Sequence, residues 1–155
     1  MQILTIPNKL LITKCEIVTD FSGIESIAQE MIQTAKENNL VGMAGNQVGI
    51  LQRIFVMNMA GDNQPEDWQA FINPVIKRDK TKGEKWDWEG CGSIPNIECL
   101  INRHNEIDVS YTSYDGKNKS IRLSAYLARI AQHENDHLDG ILMTSKARER
   151  RIIKK

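Results

Sequence analysis

Two of the three histidines in this chain stand four residues apart, in the stretch QHENDHLD at 132–139. On a helix that spacing puts the His133 and His137 imidazoles on one face, where they can share a metal ion. It also sets Glu134 beside them, within reach of water activated by that ion. With eleven glutamates and three histidines in the chain, the HExxH pattern has an expected chance occurrence of about 0.004. The competing structural reading is a pair of surface histidines on an amphipathic helix. Two helical imidazoles leave a catalytic ion one short of the usual three protein donors. Of Cys15, Cys91 and Cys99, only Cys91 lies between two glycines, in WDWEGCGSIP at 86–95, where the backbone can turn sharply and approach a ligand closely. A thiolate there completes the set and leaves a fourth position open for water. Taken alone, Cys91 also reads as a small buried hydrophobe, which is the structural role expected of Cys15 and Cys99.

The chain has 155 residues, enough for one domain with its own core. A charged fraction of 26% at zero formal net charge fits a soluble globular protein and excludes a general attraction to nucleic acid or membrane. No apolar run reaches the length of a membrane span, and the start MQILTIPNKLL lacks the plan of a signal or transit peptide. Three cysteines with no CxxC pair disfavour a disulfide framework or a zinc ribbon and suit a reducing, cytoplasmic setting.

The metal-binding side chains act together only if other elements hold them. Residues 1–20 carry apolar side chains without a sustained period and predict an irregular arm packed on the domain. Ile24, Ile27, Ala28, Met31, Ile32 and Ala35 recur with helical period behind the capping-box pair Ser22 and Glu25, predicting an amphipathic helix from about 23 to 38. LVGMAGNQVGI at 40–50 reads as a glycine-rich turn entering a strand at 53–58, and its spacing is that of neither phosphate-loop motif. Residues 70–78 (AFINPVIKR) predict another strand, in which Pro74 demands an edge or a bulge; residues 60–67 between them read as a polar surface loop. The alternating runs 106–114 and 117–123 flank Asp115-Gly116 as a β-hairpin. The histidine helix then runs from near Ser124 to about Leu138, with Gly140 as its stop signal. Its inner face is Tyr126, Ile130, His133 and His137. The expected organisation is one catalytic domain over 1–145 and a short basic tail over 146–155. In that tail Lys146, Arg148, Arg150, Arg151, Lys154 and Lys155 stand against Glu149 alone. It reads as a solvated helix end, or as a site of weak attraction to phosphate-rich surfaces.

Three stretches together, GMAGNQVG at 42–49, EGCGS at 89–93 and QHENDHLDG at 132–140, resemble the three motifs of peptide deformylases in order and separation. The resemblance covers roughly residues 3–143 and is far more specific than HExxH alone. It implies an α+β fold in which antiparallel β-sheets surround a central helix carrying the histidines. It also implies removal of the formyl group from N-formyl-Met nascent peptides by a monomer in the cytoplasm of a bacterial or phage-infected cell. The short chain after the third motif is similar to compact, phage-type members.

Matched position by position, the resemblance implies one divalent metal ion on Cys91, His133 and His137. Fe(II) is the expected working ion, with zinc, nickel or cobalt able to replace it. Glu134 would be the general acid-base, and the Gln47 amide with the Gly92 backbone N–H would receive charge on the formyl oxygen. Val41, Gly42, Tyr126, Ile130, Arg129 and Asp87 would line the methionine pocket, with Asp87 and Arg129 free to pair at its rim. Glu89, Arg103 and Asp136 are the candidates for orienting the ligands. The chain departs from the family at Leu40, where the opening motif usually has its first glycine, at Gly45, commonly alanine, and at Gly92, usually leucine. Two other readings stand beside this one. A general HExxH metallopeptidase needs a third ligand after the helix, and no His or Cys follows His137. A catalytically weak relative would act as a binding module at the ribosome exit through the basic tail.

Overall fold

The computed structural model describes residues 1–60 and 64–153. Part of the surface loop expected at 60–67 therefore lies outside the described residues, as do Lys154 and Lys155. Two antiparallel sheets and a central helix make up the molecule, the α+β arrangement expected. The larger sheet has the strand order β1-β2-β3-β6-β7, from β1 (Gly42–Ala44), β2 (Ile54–Asn58), β3 (Trp68–Arg78), β6 (Glu106–Thr112) and β7 (Asn118–Ser124). The smaller sheet is β4-β5-β8, from β4 (Glu84–Cys91), β5 (Ile94–His104) and β8 (Glu149–Ile152). Helix α2 (Ala125–Leu138) packs on β1, β2 and β7 of the first sheet and on β5 of the second, so its buried face looks at both.

Helix α1 (Ile24–Glu37) buries Ile24, Ala28, Met31 and Ala35 against β2, as its period requires. Its start differs from expectation. The capping position is Gly23, in the left-handed region at φ 74° and without a side-chain cap, while Ser22 Oγ bonds Asp20 Oδ1 at 2.7 Å. The helix starts one residue later than the capping box requires, so Ser22 stands before the capping position and its Oγ–H turns back to Asp20.

Pro74 lies in β3, which is flanked by β2 and β6, so it marks a bulge and not an edge. The register against β6 shifts between Ile72 and Val75, and Asn73 at φ 50° swings its amide out to Val18, accepting from its N–H at 2.8 Å and donating to its carbonyl at 2.9 Å. The β6–β7 hairpin forms as predicted, except that its strands stop at Thr112 and resume at Asn118 around a longer loop. Neither β4 nor β5 was predicted as a strand. Their inner-face positions include Glu89 and Arg103, and charge facing inward hides the period-two pattern.

The expected domain boundary at 145/146 falls inside the short helix α3 (Met143–Lys146). Beyond it, residues 149–152 are strand β8, paired with β5 from Ile97↔Ile152 to Leu100↔Glu149. This part of the tail is therefore no solvated helix end. Its arginines lie on the chain's own surface: Arg151 stacks over Trp88 at 4.1 Å and pairs with Glu98, and Arg148 lies 5.4 Å from the Trp86 ring centroid. No helix among the described residues is long and apolar enough to cross a membrane.

Candidate active site

Helix α2 ends with the paired bonds of a Schellman motif. Ile141 N–H donates to Asp136 O and Gly140 N–H to His137 O, both at 2.9 Å, with Gly140 at φ 71°. A Cβ at residue 140 would lie 2.7 Å from the Ile12 carbonyl oxygen, so only glycine fits between this helix end and the N-terminal arm. Two further bonds lock the last turn. Asn46 Nδ2 donates to His137 O at 2.5 Å, and Arg53 donates to Asp139 at 2.7 Å. The helix thus presents His133, Glu134 and His137 at fixed depth, all buried.

Cys91 ends β4 at the turn into β5 and comes to the same place. Its Sγ is 3.3 Å from His137 Nε2, which is 3.2 Å from His133 Nε2. The three ligand atoms lie within 4.8 Å of one another. Nitrogen donors held about 2.0–2.1 Å from one tetrahedral ion stand about 3.3 Å apart, so the spacing of the imidazoles fits a shared metal. His133 Nδ1 lies 2.9 Å from Glu89 Oε1. A carboxylate only accepts, so Nδ1 carries the proton and the Nε2 lone pair is left for the ion. Two buried atoms beside this cluster, Glu134 Oε2 and His137 Nδ1, have no hydrogen-bond partner among the described residues.

Behind the donors lies a closed network of charge. Glu89 accepts two bonds from Arg103, both 2.9 Å, and one from Arg129 at 2.5 Å, while Arg103 also reaches Asp136 at 2.5 Å and Lys146 pairs with Asp136 at 2.8 Å. Burial penalises the Glu89 carboxylate, but Arg103 and His133 outweigh it and hold the group well below the usual carboxylate range. Burial likewise opposes charge on His133, yet its bonds to Cys91 and Glu89 carry its pKa well above the ordinary histidine value. His137 is pushed well below that value by burial and by its neighbour's charge. In the imidazolium Nε2 is protonated as well as Nδ1, and a metal ion must displace that second proton, so affinity falls as pH falls. Burial pushes the Glu134 carboxyl up to about 7, into the range where it can both take and return a proton.

Gln47 is fixed at both ends of its amide. Oε1 accepts from Ala44 N–H at 2.9 Å, and Nε2 donates to Ser93 Oγ at 3.1 Å and lies 3.6 Å from Cys91 Sγ. The N-terminal arm ties the two loops together, with Leu4 N–H donating to Gln47 O at 2.7 Å and Ile6 N–H to Ser93 O at 3.0 Å.

A cleft of about 180 Å³ opens onto these groups. Of the expected catalytic, metal-binding and pocket residues, its lining contains Val41, Gly42, Gln47, Cys91, Gly92, Tyr126, Arg129, Ile130, His133 and Glu134, but neither His137, which is buried behind it, nor Asp87. Asp87 lies outside it, paired with Lys85 at 3.2 Å. The Asp87–Arg129 pair left open by the sequence does not form. The Arg129 guanidinium bonds Glu89 and the carbonyls of Lys85 and Ile101, because the buried Glu89 carboxylate is the stronger partner. A Cβ at Gly42 would crowd Glu134, lying 2.8 Å from its Oε1 and 3.0 Å from Ile130 Cγ2, so a side chain there would displace Glu134. No role at the site was expected of Ser93, Asn46, Lys146 or Trp88. Ser93 and Asn46 lie inside the motif stretches EGCGS and GMAGNQVG, and that is the signal that could have found them.

Comparison with known proteins agrees with this geometry. The family model described as polypeptide deformylase matches residues 1–152. A peptide deformylase of Pelagibacter ubique is 37% identical, the match covering 99% of this chain and 91% of that one. Peptide deformylase 1 of Clostridium perfringens is 39% identical over 87% of this chain and 89% of its own. Among solved structures, the peptide deformylase of Thermotoga maritima superposes with a TM-score of 0.87 at 34% identity, over 96% of this chain and 97% of that one. A probable peptide deformylase from Synechococcus phage S-SSM7 gives 0.86 at 30% identity, over 94% and 98%. With the match running the length of the described sheets and through all three motif stretches, this chain belongs to the polypeptide deformylase family.

Proposed function

We propose that this chain is a metal-dependent hydrolase that removes the formyl group from the N-terminal formylmethionine of newly made polypeptides and releases formate. One observation carries the reading: the donor atoms of Cys91, His133 and His137 converge, and Cys91 and His133 line one cleft with a buried glutamate and a fixed amide. An imidazole-thiolate set suits iron or zinc, and we take Fe(II) as the working ion, with zinc, nickel or cobalt able to occupy the same donors. A divalent ion held there supplies the Lewis acidity that makes water a nucleophile near neutral pH.

The residues of the chain do the rest. Glu134 takes the proton of the attacking water as oxygen joins the formyl carbon, and returns it to the amine nitrogen as the C–N bond breaks. Gln47 Nε2 and the Gly92 N–H donate to the formyl oxygen as it gains charge, each worth about 2.7–4 kcal/mol of barrier. Glu89 orients His133, and Arg103 and Asp136 hold Glu89 and the helix in place. Val41, Gly42, Tyr126 and Ile130 receive the methionine side chain. Arg129 leaves that pocket without a free charge, its guanidinium being engaged elsewhere.

The test is formate release from a formyl-Met peptide by protein purified anaerobically, with metal analysis of the same sample. Metal-loaded protein that releases no formate would end the proposal. The ligand assignment has its own check. Cys91→Ser is expected to fold normally and lose stoichiometric metal, because a hydroxyl replaces thiolate poorly at similar bulk, while Cys15→Ser and Cys99→Ser keep it. Full metal content in folded Cys91→Ser removes Cys91 from the set.

We further infer a monomer that works in the cytoplasm and associates weakly with ribosomes through the basic tail. The exposed Arg148, Arg150 and Arg151 support this. Truncation after Thr144 would also remove Lys146 from Asp136, so substitution is the cleaner test. Replacing the three arginines with Gln is expected to leave the rate on a short formyl peptide within about twofold and to reduce co-sedimentation with ribosomes at low salt. Undiminished or salt-independent sedimentation excludes the tail.

A further inference from the structure

Two walls of the cleft are coupled. A Cβ placed on Gly92 would lie 3.0 Å from Leu40 Cδ1, 3.1 Å from Cδ2 and 3.7 Å from Cγ. The space above Gly92 is thus already filled, by a leucine arriving from the opposite side of the cleft. Leu40 is not loosely placed. Helix α1 ends in its own Schellman motif, with Leu40 N–H donating to Ala35 O at 2.9 Å and Asn39 N–H to Lys36 O at 3.1 Å, and with Asn39 left-handed at φ 55°. The side chain also packs on the apolar cluster that contains Ala35 and Met43.

Leu40 borders two spaces at once. One is the cleft with the metal donors; the other is a wider groove that begins at the same residues, Leu40, Val41 and Gly90 to Gly92, and leads away past Ile94, Pro95 and Ile97. A peptide whose formyl group lies at Gly92 and whose methionine fills the cleft leaves along this groove. Among the described residues lining the groove, none has an acidic or basic side chain; apart from the Cys91 thiolate given to the metal, its charge is the Met1 ammonium, which donates to Thr34 Oγ1 at 3.0 Å. A basic substrate residue there would lose hydration with no carboxylate to replace it, while an apolar one would gain contact with the leucine.

We propose that Leu40 is the specificity-determining residue for the substrate position that follows the formylated methionine, and that it selects apolar over basic side chains there. Gly92 is the other half of the device, since its missing side chain makes the room Leu40 occupies. The inference rests on the deformylase reading for its substrate, but the packing of the pair does not.

The experiment compares the tripeptides formyl-Met-Leu-Ala, formyl-Met-Glu-Ala and formyl-Met-Lys-Ala across metal-loaded wild type, Leu40→Gly, Leu40→Met, Gly92→Leu and the double variant Leu40→Gly/Gly92→Leu. Wild type is expected to prefer the leucine peptide over the lysine peptide by roughly tenfold, the lower end of what one apolar contact discriminates, mostly through KM. Leu40→Met should keep that preference and Leu40→Gly should reduce it below about twofold with kcat little changed. Gly92→Leu alone should lower both Tm and kcat/KM, because two leucines then claim one space, and the double variant should recover most of both losses. Undiminished preference in Leu40→Gly, or Tm changes that simply add in the double variant, overturns the proposal. If wild type releases no formate from any of the three peptides, the hydrolase reading falls and the preference with it. Ample release with no preference overturns the role of Leu40 alone.

Discussion

Replacing Glu134 by Gln is expected to lower kcat for formate release by at least about a hundredfold while leaving the metal in place. The amide has the size of the carboxylate but cannot take a proton from water, so the loss should appear in kcat and not in KM. Stability should move the other way. Burial raises the Glu134 pKa to about 7, which means that the folded protein disfavours the charged form relative to the unfolded chain. The ionised carboxylate therefore costs stability increasingly as pH rises above the unfolded value, until the folded pKa is passed. A neutral Gln removes that cost, and metal-free Glu134→Gln is expected to unfold at the same temperature as wild type, or higher, at pH 8. Activity within threefold of wild type would show that another group carries the proton.

Arg103→Met is expected to destabilise the fold by about 3–5 kcal/mol, the usual cost of stripping one partner from a buried ion network. Arg103 is 5% exposed and faces two carboxylates that are as deeply buried, Glu89 at 7% and Asp136 at 4%. Methionine fills the space but leaves Glu89 with Arg129 and His133, and Asp136 with Lys146. Urea unfolding of wild type and variant measures the difference. Because the folded pKa of Glu89 is depressed, its contribution in wild type is present above the ordinary carboxylate range and disappears only as pH falls toward the folded value. The variant should lose that dependence, and it should also bind metal more weakly, since Glu89 orients His133. A loss under about 1 kcal/mol with unchanged metal content would mean the network is neutralised by other means.

The chemistry of this protein was largely legible along the chain, because it depends on residue types at short spacings. HExxH fixes its own geometry once it is helical, and α2 is helical for the ordinary reasons of period and stop signal. Cys91 between two glycines, the bulge at Pro74 and the hairpin at Asp115-Gly116 were local signals of the same kind. The expected cap at Ser22 does not form because Gly23, left-handed at φ 74°, takes the capping position, a backbone choice that the Ser22–Glu25 spacing does not report.

Only the tertiary structure decided which charges meet. Asp87 and Arg129 could have paired as far as the sequence goes, but strand β4 carries Glu89 inward beside the helix, and a buried carboxylate draws both arginines while Asp87 stays outside with Lys85. The strands β4 and β5 escaped the sequence reading for the same reason: Glu89 and Arg103 face inward, and each is tolerated there only because the other is present. The basic tail looked like a free helix end until the open edge of β5 offered its N–H and C=O groups a partner. Leu40 and Gly92 stand fifty-two positions apart as two unrelated departures from the family pattern, and nothing local connects them. The close of α1 places one side chain in the space the other residue lacks, and that coupling exists only in three dimensions.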